Sequence, residues 1–152
     1  MDLDRIDRRI LRELQADGRL ANAELSRRVG LSQAACHRRV RRLYDEGFVA
    51  RTSAVIAADK VGLGALAIVG VVLDRSTPES FAAFEAAAGE LPFVLECHLV
   101  AGDFDYFLKI RVKDIAGFNR LHGERLIALP GVRQTRTFFV MKEVKEGGLL
   151  DF

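Results

Sequence analysis

The chain has 152 residues, 49% of them hydrophobic, and a net charge of +2. It has room for one ordinary domain or two small ones with a buried core. No apolar run reaches the ~18 residues of a membrane span, and the charged opening MDLDRIDRR is no signal segment, which points to a cytoplasmic protein with no membrane partner.

In chain order, Asp4 reads as the cap of a first helix with Ile6, Ile10, Leu11 and Leu14 on one face and Gly18 as its stop. A second helix runs from about Asn22 to Val29 and is broken by Gly30. Ser32 caps a third, in which Cys36, Val40 and Leu43 form the apolar stripe and Ala34, Arg38, Arg41 and Asp45 the opposite pole. Helix, Gly-containing turn, helix is the helix-turn-helix pattern, whose second helix reads DNA. Phe48 to Val55 alternates loosely and suits a short wing or an extended linker. Residues 1–53 thus form a winged helix-turn-helix domain, and the small, Gly-containing stretch 54–65 is a joint.

From Leu66 the period changes. Strands are expected at 66–73, 93–100, 104–112 and 132–144. Two helices are expected between them. Thr77-Pro78-Glu79 opens one, with Phe81, Phe84, Ala88 and Leu91 inward, and Asp114 caps the other, with Ile115, Phe118, Leu121 and Leu129 as anchors. The order β-α-β-β-α-β over 66–152 is the ferredoxin-like pattern, so the fold class is α+β. Phe104, Tyr106, Leu108, Ile110 and Val112 are expected to share one face. The face without helices should hold Glu96, His98, Val100, Asp105, Phe107, Lys109 and Arg111, with Arg136, Phe138, Val140 and Lys142 or the alternate set on the last strand. A second subunit is the simplest cover for Phe107 there.

The charge divides with the domains. Residues 1–53 carry 12 arginines against 8 acidic residues, and residues 54–152 carry 11 basic against 13 acidic. Between Arg19 and Arg42 seven arginines meet only Glu24. A basic half facing a polyanion and a near-neutral half facing something else are implied. Cys36 and Cys97 suit buried reduced thiols, and His37, His98 and His122 form no metal-ligand spacing with them. There is no P-loop, dinucleotide fingerprint or nucleophile elbow, so neither an enzyme nor a cofactor is expected.

Four motifs in order, LDRIDRRILRELQADGRLANAELSRRVGLS, CHRRVRRLYDEGFV, ECHLVAGDFDYFLKIRV and LPGVRQTRTFFVMKEVK, resemble the Lrp/AsnC "feast/famine" transcriptional regulators. The resemblance spans Leu3 to about Lys145. It implies a winged helix-turn-helix followed by an ACT-like regulatory domain. It also implies dimers that assemble into tetramers or octamers, and an amino-acid effector, leucine or another apolar one, between the C-terminal domains. Many relatives have Ser where Ala21 stands, so here the second helix must be capped by Asn22 or by water. Gln33-Ala34-Ala35 and Arg38-Arg39 also depart from the family's pattern, so its base preference does not transfer.

For double-stranded DNA the expected contacts are Ser32, Gln33, Ala34, His37, Arg38, Arg41 and Arg42. Gln33, His37 and Arg38 are placed for base edges, and Arg41, Arg42, Arg27, Arg28 and Arg51 for phosphates. Arg39 is expected to be solvated or paired with Asp45 and Glu46. For the effector, an ammonium needs carboxylates and a carboxylate needs N–H or hydroxyl donors. The loop Val100-Ala101-Gly102-Asp103-Phe104-Asp105 supplies the carboxylates and a Gly102 backbone open to close approach. Thr135 and Thr137 supply hydroxyls, and Leu99 and Ile115 an apolar wall. The rival readings are an amino-acid-sensing or enzyme subunit whose N-terminal half docks protein, and a nucleoid-compacting DNA binder.

Overall fold

The computed structural model describes residues 2–152. The chain divides into two compact units: one runs to Val55 and also takes in Lys145–Phe152, and the other is Ile56–Val144. The last eight residues, which the sequence groups with the second domain, pack here with the first unit.

The first unit has helices α1 (Arg5–Ala16), α2 (Asn22–Val29) and α3 (Gln33–Asp45). α1 starts where Asp4 and Asp7 form a reciprocal capping box, with Asp7 N–H donating to Asp4 Oδ1 at 2.8 Å and Asp4 N–H to Asp7 Oδ2 at 3.3 Å. Ile10, Leu11, Leu25, Val29, Cys36 and Leu43 form its core. Burial among these apolar side chains pushes the Cys36 thiol above its ordinary pKa. α2 ends at Gly30, whose φ of 72° is left-handed and lets Leu31 N–H reach back to Ser26 O at 2.9 Å. Ser32 then caps α3 through Ala35 N–H.

Two details differ from expectation. Ala21 gives α2 no side-chain cap, and Asn22 does not supply one: its Nδ2 donates to Gln33 O at 3.0 Å, which ties the start of α2 to the start of α3. Phe48–Val55 forms no strand among the described residues; Val49 packs against the core of this unit and Thr52 meets the Tyr44 hydroxyl at 2.7 Å. The returning segment closes the unit. Gln15 donates from Nε2 to Leu150 O at 2.8 Å and accepts from Leu150 N–H at 3.1 Å, and Phe152 packs on the core beneath the Arg12 guanidinium.

The second unit has β1 (Ala65–Leu73), α4 (Pro78–Gly89), β2 (Val94–Leu99), β3 (Tyr106–Val112), α5 (Ile115–Leu121), which runs into one π turn at His122–Leu126, and β4 (Val132–Phe139). The sheet order is β2-β3-β1-β4, antiparallel throughout, as the ferredoxin-like pattern requires. Thr77 and Asp114 cap α4 and α5 as read from the sequence. One sheet face buries Ala67, Val69, Val71 and Leu73 against Tyr106, Leu108, Ile110 and Val112, with Phe84, Ala88 and Phe118 from the helices. Burial and the acceptor Glu85, 2.7 Å away, push the Tyr106 hydroxyl well above the usual phenol range. The last strand stops at Phe139, short of the expected 144, and Met141 is fully exposed.

Phe104 corrects the expected face. Asp105 N–H donates to Val71 O at 2.9 Å and its carboxylate accepts Leu73 N–H at 2.7 Å. With Asp105 pinned so, the Phe104 ring swings to the helix-free face and covers Gly70. A Cβ on Gly70 would lie 2.7 Å from two of its carbons. Phe107 and Phe138 complete an aromatic platform with centroids 5.2 and 6.4 Å from Phe104, and Arg136 lies over the Phe104 ring. Of the two sets left open for the last strand, the one with Arg136 and Phe138 occupies this face. Its members pair with Gly70 and Ile68, whose neighbours Val69 and Val71 point to the core. Cys36 is buried as expected, whereas Cys97 is exposed near the β2 edge.

Candidate DNA interface and effector site

The α3 surface is built by a repeat of one turn. Val40 and Leu43 face the core, and the two arginines on each side of Val40 point to opposite flanks. Ser32, Gln33, Ala34, His37, Arg38 and Arg41 are exposed. Among the described residues Arg41 pairs only loosely with Asp45, at 3.8 Å, and keeps 76% of its side chain exposed. Ser32 uses its oxygen to accept Ala35 N–H, so its hydroxyl proton remains for a phosphate oxygen.

The other pair is occupied. Arg39 Nη1 sits between Asp4 Oδ2 at 2.6 Å and Asp7 Oδ1 at 2.8 Å, and Arg42 Nη2 donates to Asp7 Oδ2 at 2.6 Å. The sequence reading put Arg42 on phosphate and Arg39 in solvent or beside Asp45 and Glu46. The buried Asp7, 1% exposed, takes both instead, since a carboxylate so far from water must be paired. Glu46 reaches Arg42 only at 4.0 Å. The Asp7 N–H and the Arg39 guanidinium hold the Asp4 carboxyl down to about 2, and the carboxylates of Asp4 and Asp7 raise Arg39 in turn. On α2, Arg28 is paired with Glu13 at 2.8 Å and Glu24 at 2.9 Å, and Arg27 also meets Glu24. The Arg28 hydrogen bond leads in lowering the Glu24 pKa. Arg51 is exposed on the extended segment.

The sheet separates the residues expected to hold an effector. Leu99, Tyr106, Val71 and Thr135 are partners in one cross-strand row. Leu99 and Thr135 therefore share a face but end on opposite edges, three strand spacings or about 14 Å apart. One amino acid does not bridge that distance within one chain. At the β2 edge Leu99 is 57% exposed, followed by half-buried Val100 and exposed Ala101, Gly102 and Asp103. Gly102 has φ of 142°, a backbone conformation that side-chain-bearing residues rarely adopt. Asp103 is the exposed carboxylate of the loop, whereas Asp105 is bound to the Leu73 N–H and Phe104 is committed to the aromatic platform. At the β4 edge Thr135 meets His122 Nε2 at 2.8 Å, and Phe118 packs edge-on to Phe139. Ile115 is 58% exposed at the start of α5. On the opposite face Glu96 bonds His98 and Lys109, each at 3.1 Å, which lowers its pKa.

Asp4, Asp7 and His122 are the residues of these sites that sequence reasoning missed. The one available signal was the matching spacing of Asp4 with Asp7 and of Arg39 with Arg42, each three apart on its own helix. Among the described residues no cluster of His, Cys, Asp and Glu has a metal-binding arrangement, and no helix is long and apolar enough to cross a membrane.

A helix-turn-helix with an exposed basic face, joined to a ferredoxin-like unit with an open loop at one sheet edge, defines a DNA-binding regulator with a ligand-binding domain. Residues 3–50 match the winged helix-turn-helix DNA-binding family, and residues 66–150 match the Lrp/AsnC ligand binding domain. The chain belongs to the Lrp/AsnC family of transcriptional regulators. It is 50% identical over 149 residues to the leucine-responsive regulatory protein of Escherichia coli K12, covering 98% of this chain and 91% of that one. The leucine-responsive regulatory protein of Salmonella typhimurium matches equally well. A transcriptional regulator of Neisseria meningitidis solved as an L-Met complex superposes with a TM-score of 0.93 at 35% identity, covering 99% of this chain and 97% of the other. An AsnC family regulator of Agrobacterium tumefaciens gives 0.92 at 34% identity, over 98% and 97% of the two chains.

Proposed function

We propose that this regulator reads duplex DNA in the cytoplasm with the outward face of α3, as a homodimer that assembles into tetramers or octamers around an amino-acid effector. The observation that carries the reading is the sorted α3 surface. Among the described residues the side chains of Gln33, Ala34, His37 and Arg38 are exposed at the start of the helix, where base edges are met, and Arg41 follows for phosphate. Ser32 and Arg51 add phosphate contacts, and Arg27, tied only to a surface Glu24, adds another. Arg28 and Arg42 leave the expected list because acidic neighbours hold them. No catalytic step is assigned to any residue.

The effector site joins two copies. One supplies the loop Val100–Asp103 with Leu99, where Asp103 takes the ammonium and the Gly102 backbone lies close to the ligand. The other supplies Thr135, Thr137 and Ile115 from its β4 and α5 side. The separation of these two sets within one chain supports this division. The ligand class is an apolar amino acid: the E. coli relative is named for leucine, and the Neisseria structure holds methionine.

Promoter binding measured against salt tests the reading. Wild type is expected to bind with a steep salt slope, and Arg41→Gln to lessen that slope by about 0.9, one phosphate contact. An unchanged slope removes α3 from the interface as drawn. In the same assay, leucine or methionine should shift the affinity, and Asp103→Ala should abolish that shift.

A further inference from the structure

We propose that Asp4 and Asp7 form an acidic lock on the reading helix, holding Arg39 and Arg42 away from DNA so that, of its four arginines, α3 offers it Arg38 and Arg41. The lock rests on the reading of α3 as the DNA-contacting element. It assigns two positioning residues whose effect is on selectivity.

The sequence HRRVRR presents four arginines that look alike. The fold divides them into two pairs, each one helical turn apart. Arg38 and Arg41 face outward, and Arg39 and Arg42 face the start of α1. There the two guanidinium groups meet two carboxylates through three contacts of 2.6 to 2.8 Å, and Arg39 Nη1 straddles both acids. The two contacts on Asp7 are not surface pairs of the kind that exchange freely with water, whereas the Asp4 side chain is half exposed. The Asp7 side chain is 2% exposed, so release of its arginines would strand a charge in the interior. The capping box fixes the same two carboxylates at the start of α1, so each is anchored there as well as on α3, Asp4 by Arg39 and Asp7 by Arg39 and Arg42. Two consequences follow. The roll of α3 about its axis is set, which aims Gln33, His37 and Arg38. Two positive charges are also neutralised on a surface where non-specific affinity is set by phosphate neutralisation, so background binding falls while base readout stays.

The test is binding to a random-sequence duplex across a salt series, using the full chain. Asp4→Asn removes one charge at an exposed position and keeps the cap, because Asn caps a helix as well as Asp. The expected result is tighter non-specific binding at low salt and a slope steeper by about 0.9, and Asp4→Asn/Asp7→Asn should add about as much again. A purely structural role has the opposite sign, since a loosened helix binds more weakly. A folded Asp4→Asn protein with unchanged or weaker binding overturns the lock, whether or not the double variant folds. A wild type that binds no duplex overturns the reading of the interface instead.

Discussion

Gly70 sits inside β1 with its α-hydrogen under the Phe104 ring, and Gly70→Ala is the sharpest test of the aromatic platform. The added methyl would stand 2.7 Å from Cδ1 and Cε1 of Phe104 and 2.9 Å from Cγ. Contact with Cγ means the ring cannot escape by a small rotation and must leave the strand. Its position also depends on Asp105, which is tied to both Val71 and Leu73, so the backbone resists following. Overpacking of this kind costs about 1–3 kcal/mol. The backbone of Gly70 is not in the left-handed region, so Ala fits it locally and returns about 0.4–1 kcal/mol through the unfolded chain. The net expectation is a loss of about 1–2 kcal/mol. Urea denaturation of Gly70→Ala, Phe104→Ala and the double variant measures it. In the Phe104→Ala background the Gly70 change should be neutral or stabilising, because the obstruction has gone. An equal penalty in both backgrounds would show that Phe104 does not fill the Gly70 hollow. Sedimentation of the same variants reports on the platform as a subunit face, and Gly70→Ala should weaken self-association.

Two further outcomes are expected. The Asp4 carboxyl is depressed from 3.8 to about 2 in the folded chain, so the stability it contributes is complete above pH 3.8 and is lost as pH falls toward 2. An acid titration followed by circular dichroism should lose that step in Asp4→Asn, and a superimposable acid limb would refute the assignment. Phe84 is fully buried against Tyr106, with ring centroids 4.5 Å apart, and Phe84→Ala should cost the sheet unit about 3–5 kcal/mol in denaturant unfolding.

Local signals carried well from sequence to fold. The caps Asp4, Ser32, Thr77 and Asp114 each open the helix expected of them, because an N-cap is decided by one side chain and the backbone three residues on. Strand β1 followed from its apolar run, and the inner face of β3 from Tyr106 to Val112 followed from alternation. What depended on distant partners was not legible. The charge window from Arg19 to Arg42 holds the single acid Glu24 in sequence, yet Asp4, Asp7 and Glu13 from the start and body of α1 neutralise much of it in space. Phe104 obeyed the alternation in sequence and broke it in space, since the hollow that accepts it lies on another strand at Gly70. Thr135 and Leu99 were expected around one ligand, but only the strand order shows that they end on opposite edges of the sheet.

The return of residues 145–152 changes how the protein divides under the knife. The sheet unit, Ile56–Val144, is one uninterrupted length of chain and can be excised whole. The DNA-reading unit cannot. A fragment cut at Val55 leaves Gln15 without the Leu150 backbone and uncovers the apolar floor on which Phe152 rests. A faithful minimal reader therefore needs the eight-residue segment rejoined, by a short linker from Val55 or as an added peptide.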